Sequence, residues 1–425
     1  MIETLKNAWK IKDLRRKILF TLFIIVIFRV GMAIPVPFID QAKLIAGSAS
    51  NDFMSAFSLL SGGGFEYGAI FAMGVTPYIN SSIILQLLCV AIPALERLTK
   101  EGEEGRKKIA QITRYTTVIL GLIQGFAYFI YLLRSGYLTV TGTGAQVFAG
   151  FATVICLTAG SALVMWLGEQ IDDRGIGNGI SMLLFAGIIS RGPNAARALA
   201  SYWNLGYKFA CVAIVIVFLL VIAFIVWMSD AERRIPIQYA KRVVGRKMYG
   251  GNNTHLPIKV NMSGVMPIIF ASSILMLPTM ITSFMTNTSS TWYKILSLFS
   301  TRGAFYAALY FALIIAFAYF YVQIQYNPVE MANDLRKNSG SIPGIRPGQP
   351  TSDFIKKVLS RITLIGALLL SVIAVGPIIF SIIKPEFAGL SIGGTSIIII
   401  VGVALETVTN LESQMMMRHY KGFLD

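Results

Sequence analysis

Residues 74–88 read GVTPYINSSIILQLL, and residues 264–277 read GVMPIIFASSILML. Laid side by side without a gap, the two stretches agree at eight positions with one constant offset of 190. Shared are Gly74/Gly264, Val75/Val265, Pro77/Pro267, Ile79/Ile269, Ser82/Ser272, Ile84/Ile274, Leu85/Leu275 and Leu87/Leu277. Each stretch is apolar enough for a bilayer, yet each opens on Gly-x-x-Pro, and the first carries Asn80, Ser81, Ser82 and Gln86. A repeat that preserves a broken helix start and a polar stripe points to an internal duplication rather than to two unrelated spans.

The remainder of the chain supplies the setting. It has 425 residues, 55% of them hydrophobic and 14% charged, with mean hydropathy +0.66. So much apolar surface exceeds what a soluble core can bury. The composition predicts a polytopic membrane protein. With a hydrocarbon core about 30 Å thick, roughly 20 apolar residues make one crossing. Ten spans are predicted: 18–34, a broken second span over 53–92, 109–133, 146–167, a short one at 179–190, 208–228, 264–284, 304–326, 358–383 and 392–412.

The first apolar run follows six cations and lacks a small-x-small site before Pro35, which predicts a retained helix rather than a cleaved signal. One alternating set of connecting segments carries 28 Lys and Arg residues and the other eight, with Arg29 inside the first span. Cations gather on the cytoplasmic side, so both termini are predicted to be cytoplasmic.

The offset pairs span two with span seven, so spans one to five match six to ten. Five is odd, and the second half is therefore inverted relative to the first. The halves are 1–205 and 206–425. Inverted repeats place a pathway at their interface near the bilayer midplane, often lined by interrupted helices. Ahead of Gly74, a short amphipathic piece at 53–60 runs into Ser61-Gly62-Gly63-Gly64, and consecutive glycines end a helix. A half-helix tucked inside the bundle fits, since irregular backbone at membrane depth must be shielded from lipid. An external loop lying on the surface fits the pattern too.

Two long connections are assigned to the cytoplasmic side. In 230–262 the alternation of Ile235, Ile237 and Tyr239 predicts a short strand or hairpin. The Pro- and Gly-rich 327–352 reads as an ordered turn structure or a flexible linker. Both expose cations whose partners should be anionic: lipid headgroups, RNA phosphates or an acidic protein surface.

Catalytic signatures are missing from the sequence. There is no P-loop, GxGxxG, G-x-S-x-G, H-E-x-x-H or C-x-x-C, which argues against an enzyme and against bound nucleotide, cofactor or metal. Arg29, Glu66 and Glu406 are the ionisable candidates inside spans, and their places near span ends read as snorkelling or interfacial. Cys89, Cys156 and Cys211 lie in apolar runs and read as packing residues.

Five strings carry a resemblance. GVTPYINSSIILQLL (74–88), KEGEEGRKKIAQITRY (100–115), WLGEQIDDRGIGNGIS (166–181), THLPIKVNMSGVMPIIFASSI (254–274) and IPGIRPGQPT (342–351) closely resemble the SecY family, the channel subunits of bacterial protein translocases. The resemblance implies an all-α membrane fold with ten helices in two inverted five-helix halves around an hourglass pore, plus a short re-entrant plug helix. It implies a waist of aliphatic side chains at Val75, Ile79, Ile180, Leu184, Ile269 and Ile399. Val75 and Leu184 depart from the isoleucine the family favours, which bears on the bore and not on its apolar character. The plug would include Phe57, Leu59, Leu60, Gly62, Gly63 and Gly64. Spans two, three, seven and eight would face one another at a lateral gate, with Asn80, Gln86, Ser272 and Ser273 as interhelical glue. Without a nucleotide site the motor is external, so Arg242, Arg246, Lys247 and Arg346 would contact the SecA ATPase or the ribosome. SecE and SecG would accompany the chain in the plasma membrane, anionic lipids would surround it, and signal-bearing preproteins would be its substrates. The other functional class consistent with inverted repeats and a broken helix is a secondary transporter of a small solute; a membrane scaffold or insertase without a pore is a third.

Overall fold

The computed structural model describes residues 2–48, 62–239, 242–244, 247–249, 253–284, 291–299, 303–383 and 394–421. The first part of the chain forms α1 (Ile2–Lys10), α2 (Lys12–Ala33), α3 (Gln41–Ser48), α4 (Thr76–Ala91), α5 (Pro93–Lys100), α6 (Glu103–Arg134), α7 (Thr143–Arg174), α8 (Gly179–Ile189) and α9 (Gly192–Asn204). The second part forms α10 (Lys208–Asp230), strands β1 (Glu232–Tyr239), β2 (Arg242–Val244), β3 (Lys247–Tyr249) and β4 (Asn253–Lys259), then α11 (Met266–Phe284), α12 (Thr291–Ser297), α13 (Ala304–Gln325), α14 (Pro328–Lys337), β5 (Gly340–Ser341), α15 (Gln349–Ile383) and α16 (Gly394–Lys421).

A helix stands at each of the ten predicted spans. By length and hydropathy alone, six helices among the described residues are fit to cross a membrane, or seven when α4 and α5, bent by 105°, count as one broken span. One exception, α8, has a plain physical reason. At 1.5 Å per residue, the 11 residues of α8 reach only about 16 Å. Leu183, Leu184, Ala186, Gly187 and Ile188 of that helix are buried, so protein rather than lipid surrounds it and its length need not match the bilayer.

Packing repeats as the sequence does. Helix α4 lies on α6, α6 on α7 and α7 on α8; in the same order α11 lies on α13, α13 on α15 and α15 on α16. The first span of each part also touches the fifth, α2 on α8 and α10 on α16. The two parts meet along two seams: α4 and α6 against α11, and α8 against α16. Helix α1 braces the second seam. Thr4 Oγ1 donates to Glu412 Oε1 (3.0 Å) and Lys17 Nζ to Gln414 Oε1 (3.2 Å), over a cluster of Ala8, Leu14, Ile176 and Leu411.

The duplication persists in the backbone. Gly74 takes φ 53° and Gly264 φ 60°, a left-handed conformation that costs glycine little. Each is followed within three residues by the proline that starts a helix, a position where proline's missing N–H costs nothing. The Gly-x-x-Pro opening is therefore a helix start placed deep in the bundle, reached from a turn.

The cytoplasmic-loop expectations divide. Strand β1 pairs antiparallel with β4, Glu232 opposite Lys259, and with β5, giving sheet order β4-β1-β5. The second connection is neither simple turn nor linker over its whole length, because α14 occupies its start. Asn327 Oδ1 accepts from Val329 N (3.1 Å), and Pro328 follows at the first helical position. Those two residues are an N-terminal helix signal. Ile235, Ile258, Ala332, Ile342, Ile355, Leu359 and Ile362 form the core beneath this small domain.

Close packing of α7 on α8 depends on glycine. A Cβ on Gly179 would collide with the carbonyl oxygen of Gly168. Gly179→Ala is therefore expected to cost about 1–3 kcal/mol through overpacking, read as a lower unfolding temperature in detergent. An unchanged temperature would show that the contact relaxes freely.

Candidate functional site

Around the second seam lies a cavity of about 410 Å³. Its lining mixes polar side chains, among them Asn178, Ser181, Asn261, Ser263, Gln325 and Glu406, with apolar ones that include Leu184, Ile269 and Ile399. The last three belong to the aliphatic set singled out by resemblance. Val75 (3% exposed), Ile79 (7%), Leu184 (2%), Ile269 (5%) and Ile399 (1%) share one buried cluster, with half-buried Ile180 packed against it. Four elements deliver them. Val75 and Ile79, one helical turn apart, come from the start of α4; Ile180 and Leu184, likewise spaced, come from α8; Ile269 comes from α11 and Ile399 from α16.

Local chemistry fixes where these side chains sit. Asn178 Oδ1 caps α8 by accepting from Ser181 N (3.0 Å), and Asp172 Oδ1 accepts from Gly179 N (2.7 Å). The start of α8 is thus tied to the end of α7. Such a cluster offers neither donor nor acceptor, so water and ions find no replacement for hydration there.

At the first seam the polar stripe behaves differently from the interhelical glue expected of it. Gln86 Nε2 donates to Ser82 Oγ (3.2 Å) within α4, and Ser272 Oγ donates to Ile269 O (2.9 Å) within α11. Back-bonding to the preceding turn is the common fate of a helical hydroxyl. Ser273 Oγ on α11, Thr76 Oγ1 on α4 and Gln124 Oε1 on α6 are buried without a partner. Asn80 is half-buried. A cross-helix bond does arise from Ser81, a member of the polar stripe outside the expected gate set: its Oγ donates to Thr113 O (2.9 Å), joining α4 to α6 on the same side of the seam. Among the described residues, then, Gln86, Ser272 and Ser273 make no bond from α4 to α11, and a polar atom buried without a partner costs about 1–3 kcal/mol.

Of the expected plug residues, Phe57, Leu59 and Leu60 lie outside the described residues. Gly62, Gly63 and Gly64 form a buried turn, so this part of the segment is tucked in rather than spread on the surface. Arg29, which is exposed, and half-buried Glu66, expected to be snorkelling or interfacial groups, also have specific partners. Arg29 Nη1 reaches Gly62 O (3.3 Å) and Ser190 Oγ (2.8 Å), and Glu66 Oε1 pairs with Arg191 Nη2 (3.0 Å).

The expected motor contacts separate. Arg242 and Lys247 sit on β2 and β3, paired strands of a hairpin, while Arg246 lies outside the described residues. Arg346 is exposed between Gly344 (φ 81°) and Gly348 (φ 107°), and its carbonyl accepts from Thr351 Oγ1 (2.8 Å). Two left-handed glycines and that bond define a turn that presents the guanidinium to solvent. Among the described residues no group of His, Cys, Asp and Glu is arranged to hold a metal ion.

Comparison with known proteins gives one consistent answer. A family model described as SecY matches residues 69–408. The chain is 44% identical over 440 aligned positions to the protein translocase subunit SecY of Streptomyces coelicolor, covering 100% of both. Among solved structures it resembles a SecY channel whose plug domain is described as stabilising the closed state and maintaining a membrane seal, with TM-score 0.66, 17% identity, and 94% of this chain and 92% of that one covered. It also resembles Sec61 in a canine ribosome–channel complex from the endoplasmic reticulum, with TM-score 0.60, 16% identity, and 94% and 92% covered. At those identities the structures speak for the fold.

Proposed function

The chain belongs to the SecY family, and we propose that it is the channel through which unfolded secretory polypeptides cross a bacterial plasma membrane, releasing signal sequences and transmembrane segments sideways into lipid. It is a multi-pass membrane channel subunit and not an enzyme. The observation that supports the reading is a cavity whose lining sets Leu184, Ile269 and Ile399 beside polar side chains, with Val75 and Ile79 buried in the same apolar cluster and Ile180 packed against it. The cavity is the cytoplasmic vestibule and the aliphatic set is the pore ring. A ring of this kind starves ions of hydration partners when narrow, yet holds no fixed chemistry that would select among the side chains of a passing polypeptide.

Residues 1–205 and 206–425 act as two inverted halves. The repeated packing order supports this division, and the hinge lies between spans five and six. The gate is the seam of α4 and α6 against α11, where Asn80, Gln86, Ser272 and Ser273 lie; the segment 54–66 is the plug. Both termini face the cytoplasm, in keeping with the lysine and arginine distribution. The partners are SecE and SecG in the membrane, with SecA or the ribosome docking on the cytoplasmic loops and anionic lipids around the basic segments. Reconstituted with those subunits and the motor, the chain should render a signal-bearing precursor resistant to external protease in an ATP-dependent manner. A failure to protect the precursor, beside full protection by a known translocase, would sink the reading.

Arg346 is the loop residue best placed for the motor. Arg346→Glu should cut ATP-driven export at least tenfold, because a rigid turn would now present repulsion where it presented attraction. The unfolding temperature should stay the same, since Arg346 is exposed and the turn is held by main-chain and Thr351 contacts. Unchanged export removes Arg346 from the contact.

A further inference from the structure

The described part of the plug segment is held by charged groups at the end of α8 away from the vestibule. Gly62 lies directly over α8: a Cβ on it would come within 2.6 Å of the Gly187 Cα, so no larger residue fits. The Gly62 carbonyl receives Arg29 Nη1 from α2 (3.3 Å), and the same nitrogen binds Ser190 Oγ (2.8 Å). Ser190's own proton goes to Gly187 O (2.6 Å), the nearer of its two carbonyl neighbours. Four residues on, Glu66 Oε1 pairs with Arg191 Nη2 at 3.0 Å, with side-chain exposures of only 22% and 26%. Arg191 Nη1 is buried without a partner, while the side chain as a whole is part-exposed. Tyr128 closes the far side, its hydroxyl donating to Phe65 O (3.0 Å).

Glu66 and Arg191 are largely withdrawn from solvent while Arg29 is exposed, and withdrawing an ion pair from water is costly enough that the pair calls for a role. Every partner here, on α2, α6, α8 and the residues just after α8, belongs to the first half of the chain. Parting α4 from α11 therefore does not pull on these bonds. They break only when the glycine turn moves relative to α2 and α8.

We propose that Arg29, Glu66, Ser190 and Arg191 are positioning residues that latch the root of the plug to the first half and set its resting place independently of the lateral gate. The proposal rests on the plug assignment above. Losing the latch frees the root while leaving the gate seam intact, so ions leak through a channel whose gate is still shut.

The test uses the complete channel complex in planar bilayers without substrate. Glu66→Arg and Arg191→Glu, each of which sets like charges against one another, should each raise resting ion conductance roughly three- to tenfold, and the double exchange should return it towards the wild-type level. Arg29→Gln should leak as well. Glu66→Gln, which keeps shape and removes charge, carries the same expectation should a reversal fail to fold. Unfolding temperatures are measured alongside, because general destabilisation would be unaffected by restoring opposite charges. Should the double exchange leak as much as the single ones, the pairing is refuted. If all variants stay tight while removal of residues 54–60 makes the channel leak, the latch is wrong and the plug assignment stands. If that deletion also stays tight, the plug assignment itself falls.

Discussion

Replacing Ile79, Ile269 and Ile399 together by asparagine should convert a tight resting channel into one that conducts ions, with at least a tenfold rise in current across a planar bilayer. The three residues are 7%, 5% and 1% exposed and come from α4, α11 and α16, so one side chain changes on each of three walls. Moving an ion into an aliphatic constriction costs several kcal/mol because its hydration is not replaced. Three amide side chains supply donors and acceptors where there were none, and every 1.4 kcal/mol removed from that barrier is worth a factor of ten. Glycine at the same positions should leak too, by widening the bore rather than by polarity. Val75 and Leu184 remain in both variants, so the leak measures a partly apolar ring. A small-solute transporter with the same inverted repeats would respond otherwise, losing substrate flux while staying impermeable to ions. A tight triple variant would remove the ring as the barrier.

Different features were legible in the sequence for different physical reasons. The repeat was, because Gly74 and Gly264 must both take a left-handed φ and only glycine does so cheaply. A position with that constraint keeps its residue through duplication. Span positions followed from hydropathy, and β1 from period-two alternation. The aliphatic ring was not legible by pattern: Ile79 and Ile269 look like any packed isoleucine, and only resemblance to a family set them apart. Helix α14 carried its signal in Asn327-Pro328, but the abundance of proline and glycine further along masked it. Helix α9 has no buried residues, so no buried stripe marks its pattern as that of a core helix. The partners of the polar stripe were unreadable, because a helical serine meets its own preceding carbonyl as easily as a neighbouring helix. Ser81 and Ser272 are both buried hydroxyls, and only three dimensions tell that one crosses to Thr113 and the other turns back to Ile269. The partners of Arg29 and Glu66 were unreadable for the same reason. Their partners, at 190 and 191, are more than 120 residues away.

Locking α4 to α11 should abolish the transport of signal-bearing precursors. One cysteine on each helix at facing positions, in a background lacking Cys89, Cys156 and Cys211, should form a disulfide where the Cα atoms come within about 7 Å. Gln86 and Ser272 bond within their own helices and Ser273 Oγ has no partner, so these side chains supply no hydrogen bond to hold the seam shut. A signal segment of about 10–14 apolar residues gains roughly 3–8 kcal/mol on reaching lipid, at about 0.3–0.6 kcal/mol per Leu, Ile, Val or Phe. That gain exceeds the penalty of parting a few side-chain contacts, and it falls far short of breaking an S–S bond. Oxidised channels should therefore fail and reduced ones recover fully, a reversibility that misfolding would not show. The same oxidation should leave resting ion conductance unaltered, because ring and plug are untouched by a lock on a seam already shut. Precursors that continued to cross at the reduced rate through an oxidised channel would show that passage needs no sideways opening, and the seam of α4 and α6 against α11 would then be a packing contact rather than a gate.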